Sequence, residues 1–428
     1  MEATPTSGET EHRHLSDPGK EARAASGVPV VPVFDGYRAL AIIGIVTLHL
    51  VHLSGVVVTG ESGLLAHLVW GTIGHAVDVL FVVSGFVVFL PTVARNGRFG
   101  GVVPYAIRRV ARLFPAYWLI MLLSLILIAT VNVSPDVDFP GLRDLTFHTF
   151  GLQGASGLVG AGSGPIGFGI NPPIWTLSVE VIFYVVLPLI AGLYFRHPLA
   201  GLGLAALITV GWNYGFEHIE QVAPHFGAET TGLDNLRLLV NSTLQFPSWA
   251  FSFGLGMTGA WAFVRISRDP RAPGWKPQIR LAQLVSLIGL IFFAWLAGGY
   301  SADAPFELVA EYARLDPEIA LGYSGFLAAF MVTTALGPAW TRAPFANQPI
   351  RQLGDISYGI FLSHMIIAFY LGSLLSLPEN GSISALFIWT VVVLPAAILY
   401  GYLSARFLEQ PVRRWARQFG RRAQPGSK

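Results

Sequence analysis

The sequence predicts an all-α, polytopic integral membrane protein of about ten transmembrane helices, with both termini on the cytoplasmic side. Three observations carry that expectation. Of the 428 residues, 53% are hydrophobic and only 12% are charged, where a soluble domain carries about 25% charged residues. Apolar runs of about 20 residues, the length that crosses a bilayer, recur along the whole chain. Between those runs the basic residues are distributed very unevenly. Cysteine is absent, which removes disulfides, thiolate nucleophiles and cysteine-based metal sites.

Taken in order, residues 1–33 read as a disordered cytoplasmic tail, because they are polar and bear Pro, Ser and Gly without a cleavable signal peptide. Spans follow at about 39–58, 71–93, 113–133, 174–194, 199–215, 243–264, 281–300, 319–338, 356–375 and 383–405. The fifth is short and rich in glycine. The longest connection, 134–172, contains GLQGASGLVGAGSGPIGFGI, which lacks a Gly-Lys-Ser/Thr and is expected to be an irregular external loop, not a phosphate cradle. Residues 34–408 form one membrane domain in this reading, and 409–428 form a basic cytoplasmic tail. Of the 27 Lys and Arg, only Arg143, Arg237 and Arg314 fall on the opposite side from the termini. By the positive-inside rule that makes the N- and C-termini cytoplasmic. Net charge +2 and short basic loops give no reason to expect a nucleic-acid partner. No internal repeat of the kind expected in many secondary transporters is visible.

Ionisable residues inside spans cost about 2.5–3.5 kcal/mol at the bilayer centre on insertion scales, so each is a functional candidate. They are His49, His52, Asp78, Glu180 and His364, with His75 close to Asp78. Arg38, Arg108, Arg109 and Arg112 stand at the inner ends of spans one and three. His49 lies eleven residues beyond Arg38, about 16 Å at helical rise and so close to the midplane. Asp78 lies about 12 Å from the outer end of span two by the same count. Spans one and two are joined by a short loop, so a His49–Asp78 contact is expected, and it would fix the tautomer and support the ring as a base. For His52 and His364 a simple hydrogen bond to a neighbouring helix explains the residue equally well. Glu180 also serves as a bridge between helices in the plainer reading, and Arg109 and Arg112 as topology anchors.

Taken together, these segments resemble the integral-membrane acyltransferases of acyltransferase type 3. Asp35-Gly36-Tyr37-Arg38 through His49 is similar to that family's opening signature, an Arg and a His separated by ten residues. Asp78 to Phe86 resembles its aspartate–Ser-Gly-Phe segment, and Arg109-Val-Ala-Arg112-Leu-Phe-Pro115 its Arg-x-x-Arg element before a proline. Trp175-Thr-Leu-Ser-Val-Glu180 resembles its Trp-Ser-Leu-Ser-x-Glu pattern, with Thr176 in place of the usual Ser. Ser357-Tyr358 through His364 and Glu409-Gln-Pro411 are similar to its late segments.

The resemblance implies a membrane O-acyltransferase that moves a short acyl group, often acetyl, from acyl-coenzyme A to a hydroxyl, with no metal. Acceptors in the family are mostly sugars of envelope glycans, sometimes small molecules such as macrolides, and a bacterial cytoplasmic membrane is the expected location. Some members carry a fused extracytoplasmic esterase-like domain, which this chain is expected to lack. Coenzyme A is cytosolic and polyanionic, so Arg38, Arg109 and Arg112 suit its phosphates. His49, with Asp78 and Glu180, would then be the catalytic centre, His49 acting as base or as a carrier of the acyl group. A proton-coupled transporter using His49, Asp78 and Glu180 as a relay and an assembly factor whose arginines bind anionic membrane lipid are the rival classes.

Overall fold

The computed structural model describes residues 27–56, 63–131, 139–159, 170–226, 233–298 and 317–421. Most of the expected N-terminal tail, the Gly-rich stretch 160–169 and the last seven residues lie outside that set. The described chain is helical, without a strand among the described residues. In order the helices are α1 (Val33–Leu53), α2 (Gly63–Gly74), α3 (Ala76–Ala94), α4 (Val102–Val131), α5 (Leu142–Thr149), α6 (Gln153–Leu158), α7 (Trp175–Arg196), α8 (Pro198–Glu217) and α9 (Ile219–Val222). There follow α10 (Leu233–Thr243), α11 (Phe246–Arg268), α12 (Lys276–Gly298), α13 (Pro317–Leu336), α14 (Ala339–Ala346), α15 (Gln348–Leu375), α16 (Ile383–Ser404) and α17 (Gln410–Arg421).

Nine helices among the described residues are long and apolar enough to cross a membrane. They coincide with nine of the ten expected spans, and the chain is a polytopic membrane protein. The remaining span, expected at 243–264, is α11, which is 23 residues long but carries Ser, Thr, Trp and three Gly. It has less need of hydropathy because it packs against α3, α8, α13 and α7 instead of facing lipid alone. A Cβ on Gly85 of α3 would run into the Phe253 carbonyl, and one on Gly256 of α11 into the Val82 carbonyl. The two backbones therefore touch, the small-residue packing that membrane helices use. Gly256→Ala is expected to lower the thermal midpoint of the detergent-solubilised protein, since overpacking a core costs about 1–3 kcal/mol.

Two expectations are corrected. The second span is broken: α2 ends at Gly74, His75 leaves helical geometry at φ −95° and ψ 13°, and α3 begins at Ala76. The connection expected as irregular over 134–172 holds two short helices, α5 and α6, in its described part. They are tied down by side chains: Tyr117 donates to the His148 carbonyl at 2.6 Å, and Gly154 N donates to Ser178 Oγ at 3.0 Å. Helices this short are marginal on their own, so tertiary contacts such as these hold their form.

The core is aromatic where the helices cross. Phe34 stacks on Phe86 at 3.8 Å, Phe183 on Phe253 at 4.2 Å, and Phe81 sits 4.9 Å from both Trp249 and Phe253. These contacts fix α1, α3, α7 and α11 around the polar residues described next.

Candidate active site

Helices α1, α3, α4, α7 and α15 enclose a cavity of about 60 Å³ lined by Arg38, Ser84, Arg112, Glu180, Ser357 and Tyr358 among others. Glu180 Oε1 accepts from Ser84 Oγ at 2.7 Å and from the Tyr184 hydroxyl one turn along α7. Tyr358 donates to the Leu113 carbonyl at 2.8 Å, which joins α15 to α4. Arg38 and Arg112 line a second cavity as well, of about 80 Å³, whose walls include Asp35, Asp355, Glu409 and Arg413. The two arginines thus line both the first cavity and the second, a vestibule near the start of α1 and the end of α3. The vestibule is not the purely cationic rim the sequence suggests: three guanidinium groups share it with three carboxylates. Guanidinium groups taken out of water need such counter-charges, and Arg38 has Asp35 at 3.8 Å.

The expected partner of His49 is replaced by another. His49 Nδ1 lies 3.1 Å from His364 Nε2, on α15. His364 is 1% exposed, and its Nδ1 donates to the Phe361 carbonyl at 2.7 Å. In the neutral ring that bond fixes the tautomer, leaving the His364 lone pair on Nε2. His49 must then donate from Nδ1, which leaves its own lone pair on Nε2. Buried His364 therefore orients His49, which remains partly exposed, and presents a basic nitrogen on its far side. His52, one turn further, makes an edge contact with Trp70 at 5.7 Å.

Asp78 is held elsewhere. Its Oδ2 accepts from His75 Nδ1 at 3.0 Å, and its Oδ1 accepts from Ser252 at 2.9 Å and Ser324 at 2.6 Å. Tyr323 stacks on His75 at 4.3 Å. All five residues are buried. The helix break at His75 turns Asp78 toward α11 and α13, so the anticipated His49–Asp78 pair does not form. Asp78→Asn is expected to lower the thermal midpoint while turnover per folded molecule stays near wild type. Measuring both on one preparation decides it, and a turnover defect with an unchanged midpoint would contradict the structural role.

Arg109 and Arg112, three residues apart, part company. Arg112 faces both cavities, whereas the Arg109 guanidinium lies over the rings of Tyr105 at 5.7 Å and Tyr184 at 5.3 Å. Arg109 Nε and Nη1 are buried without a hydrogen-bond partner among the described residues. The vestibule residues Arg413 and Asp355 escaped the sequence reading; the Glu409-Gln-Pro411 segment two residues before Arg413 was the available signal. Among the described residues no group of three or more His, Cys, Asp or Glu is arranged to hold a metal ion.

Residues 31–405 match a family model described as an acyltransferase domain. The chain is similar to the peptidoglycan O-acetyltransferase OatA of Listeria monocytogenes, with 25% identity over 90% of this chain and 56% of the relative. It is similar to nodulation protein 10 of Rhizobium leguminosarum bv. viciae, 24% identical over 68% of this chain and 71% of that protein. It is also similar to the O-acetyltransferase OatA of Staphylococcus aureus, 23% identical over 90% of this chain and 57% of the relative. The chain thus spans a little over half the length of the two acetyltransferases. No solved structure matches it.

Proposed function

The chain belongs to the acyltransferase family whose model covers its residues 31–405, and from that premise we propose that it is a bacterial membrane O-acyltransferase that moves a short acyl group, acetyl in the simplest case, from acyl-coenzyme A to a hydroxyl of an envelope glycan. The observation that carries the reading is the His49–His364 hydrogen bond, because it leaves one imidazole with a defined basic nitrogen deep in a span. The glycan acceptor rests on the names of the relatives, of which one is a peptidoglycan O-acetyltransferase. Residues 34–408 are the acyltransferase domain in this proposal, with both termini cytoplasmic.

The donor's phosphates sit in the vestibule against Arg38, Arg112 and Arg413, and the pantetheine arm carries the thioester past Arg38 toward His49, roughly 16 Å along α1. His49 Nε2 takes the hydroxyl proton as the acceptor oxygen attacks the thioester carbonyl. The new ester C–O bond forms, the C–S bond breaks, and the proton passes to the departing coenzyme A thiolate. Positioned bases of this kind contribute about 10²–10⁴-fold. Glu180, fixed by Ser84 and Tyr184, faces the passage that the arm must use and orients it.

The test is incubation of the purified protein with acetyl-coenzyme A labelled in its acetyl group, with and without sugar acceptors. Saturable binding of donor and transfer of label to a hydroxyl are expected. Protein that is folded but neither binds the donor nor turns it over would exclude the proposal.

A further inference from the structure

The last described helix, α17, follows the span α16 after only the five-residue π turn Ala405–Glu409, so it begins at the membrane edge. At 100° per residue its sequence divides into two arcs. One carries Pro411, Val412, Trp415, Ala416 and Phe419, and the other Arg413, Arg414, Arg417 and Gln418. The protein uses only part of this surface. Glu409 and Ala416 are buried, α17 packs on α4, and Arg413 lines the vestibule. Trp415 is 55% and Phe419 40% exposed, their rings in edge contact at 4.8 Å. On the preceding turn Phe407 is 72% exposed. Arg406 and Arg414 are exposed too.

We propose that α17, with Arg406 and Phe407 beside it, is a docking surface for anionic phospholipid headgroups. Aromatic side chains at the end of a span and arginines on the adjoining arc are the two components of an interfacial amphipathic helix. The rings occupy the boundary between headgroup and acyl chain, and the guanidinium groups meet phosphate oxygens there. Charge complementarity selects the occupant: the described part of this surface, beyond the buried Glu409, carries arginines and no acidic residue. The π turn supplies the geometry, since its extra residue points Glu409 inward to accept from Ser404 Oγ at 3.0 Å and re-aims the helix that follows. The inference does not depend on acyl transfer.

Full-length purified protein titrated with phosphatidylglycerol or phosphatidylcholine, with bound lipid counted by native mass spectrometry, tests it. Wild type is expected to bind phosphatidylglycerol more tightly. Arg406→Gln with Arg414→Gln is expected to weaken that binding roughly 30-fold, from the usual attraction per basic residue at an anionic surface, while phosphatidylcholine binding is unchanged. Equal binding of the two lipids by wild type, or no loss in the double variant, would overturn the proposal. Should that variant fail to fold, Trp415→Phe serves instead. Brominated phosphatidylglycerol is expected to quench a fluorescence component present in wild type and missing in Trp415→Phe, and a Trp415 component that brominated lipid leaves unquenched would count equally against it.

Discussion

His49→Ala is expected to abolish acyl transfer, by about 10²–10⁴-fold, while donor affinity and the thermal midpoint change little. The tautomer argument gives the reason. His364 is held by the Phe361 carbonyl, so it accepts from His49 Nδ1 and leaves His49 Nε2 as the proton acceptor. His364→Ala is expected to slow turnover less than His49→Ala, because His49 keeps its ring but loses its fixed orientation. The double variant His49→Ala/His364→Ala is expected to be no slower than His49→Ala alone, since residues acting as one unit are non-additive. His52→Ala is expected to be mild. A reversed ranking of His49 and His52 in initial rates would assign the base to the wrong ring.

The second large effect concerns the vestibule. Arg112→Ala is expected to weaken acetyl-coenzyme A binding, and Arg38→Ala with Arg112→Ala to weaken it further. Hydrogen bonds to charged groups contribute roughly 1.5–3 kcal/mol each, so each arginine is expected to cost about 10–100-fold in Kd. Arg109→Ala is expected to affect donor binding less, because its guanidinium lies over Tyr105 and Tyr184 and lines neither cavity. Calorimetry on the three variants distinguishes the cases. An unchanged Kd in the Arg38/Arg112 double variant would reduce both arginines to helix anchors.

Much of the fold is legible because lipid imposes a simple rule: the backbone must bond internally and the surface must be apolar. Runs of about 20 apolar residues therefore mark the spans, and costly ionisable residues mark polar centres. Arg38, Arg112 and Glu180 share one cavity, each at the end of a recognisable segment. What sequence hides is rotation about the helix axis. Depth alone fits Asp78 as well as His364 to His49, and only the break at His75 sends Asp78 toward Ser252 and Ser324. Residues 49 and 364 lie on helices joined by close approaches such as Gly354 against Asp35, which no periodicity announces. Likewise Arg109 and Arg112 share a helix face in the count, yet the tyrosine rings at 105 and 184 capture the first and leave the second to the cavity. Helices α5 and α6 are held by hydrogen bonds to Tyr117 and Ser178, distant in sequence.

The decisive measurement separates donor binding from chemistry in a single variant. Purified wild type and His49→Ala are compared for the Kd of acetyl-coenzyme A and for the single-turnover rate of labelled acetyl transfer to a sugar hydroxyl. Equal Kd values with transfer lost in His49→Ala are expected. Transfer by His49→Ala at the wild-type rate, with the donor bound equally well, would show that this histidine is not the base.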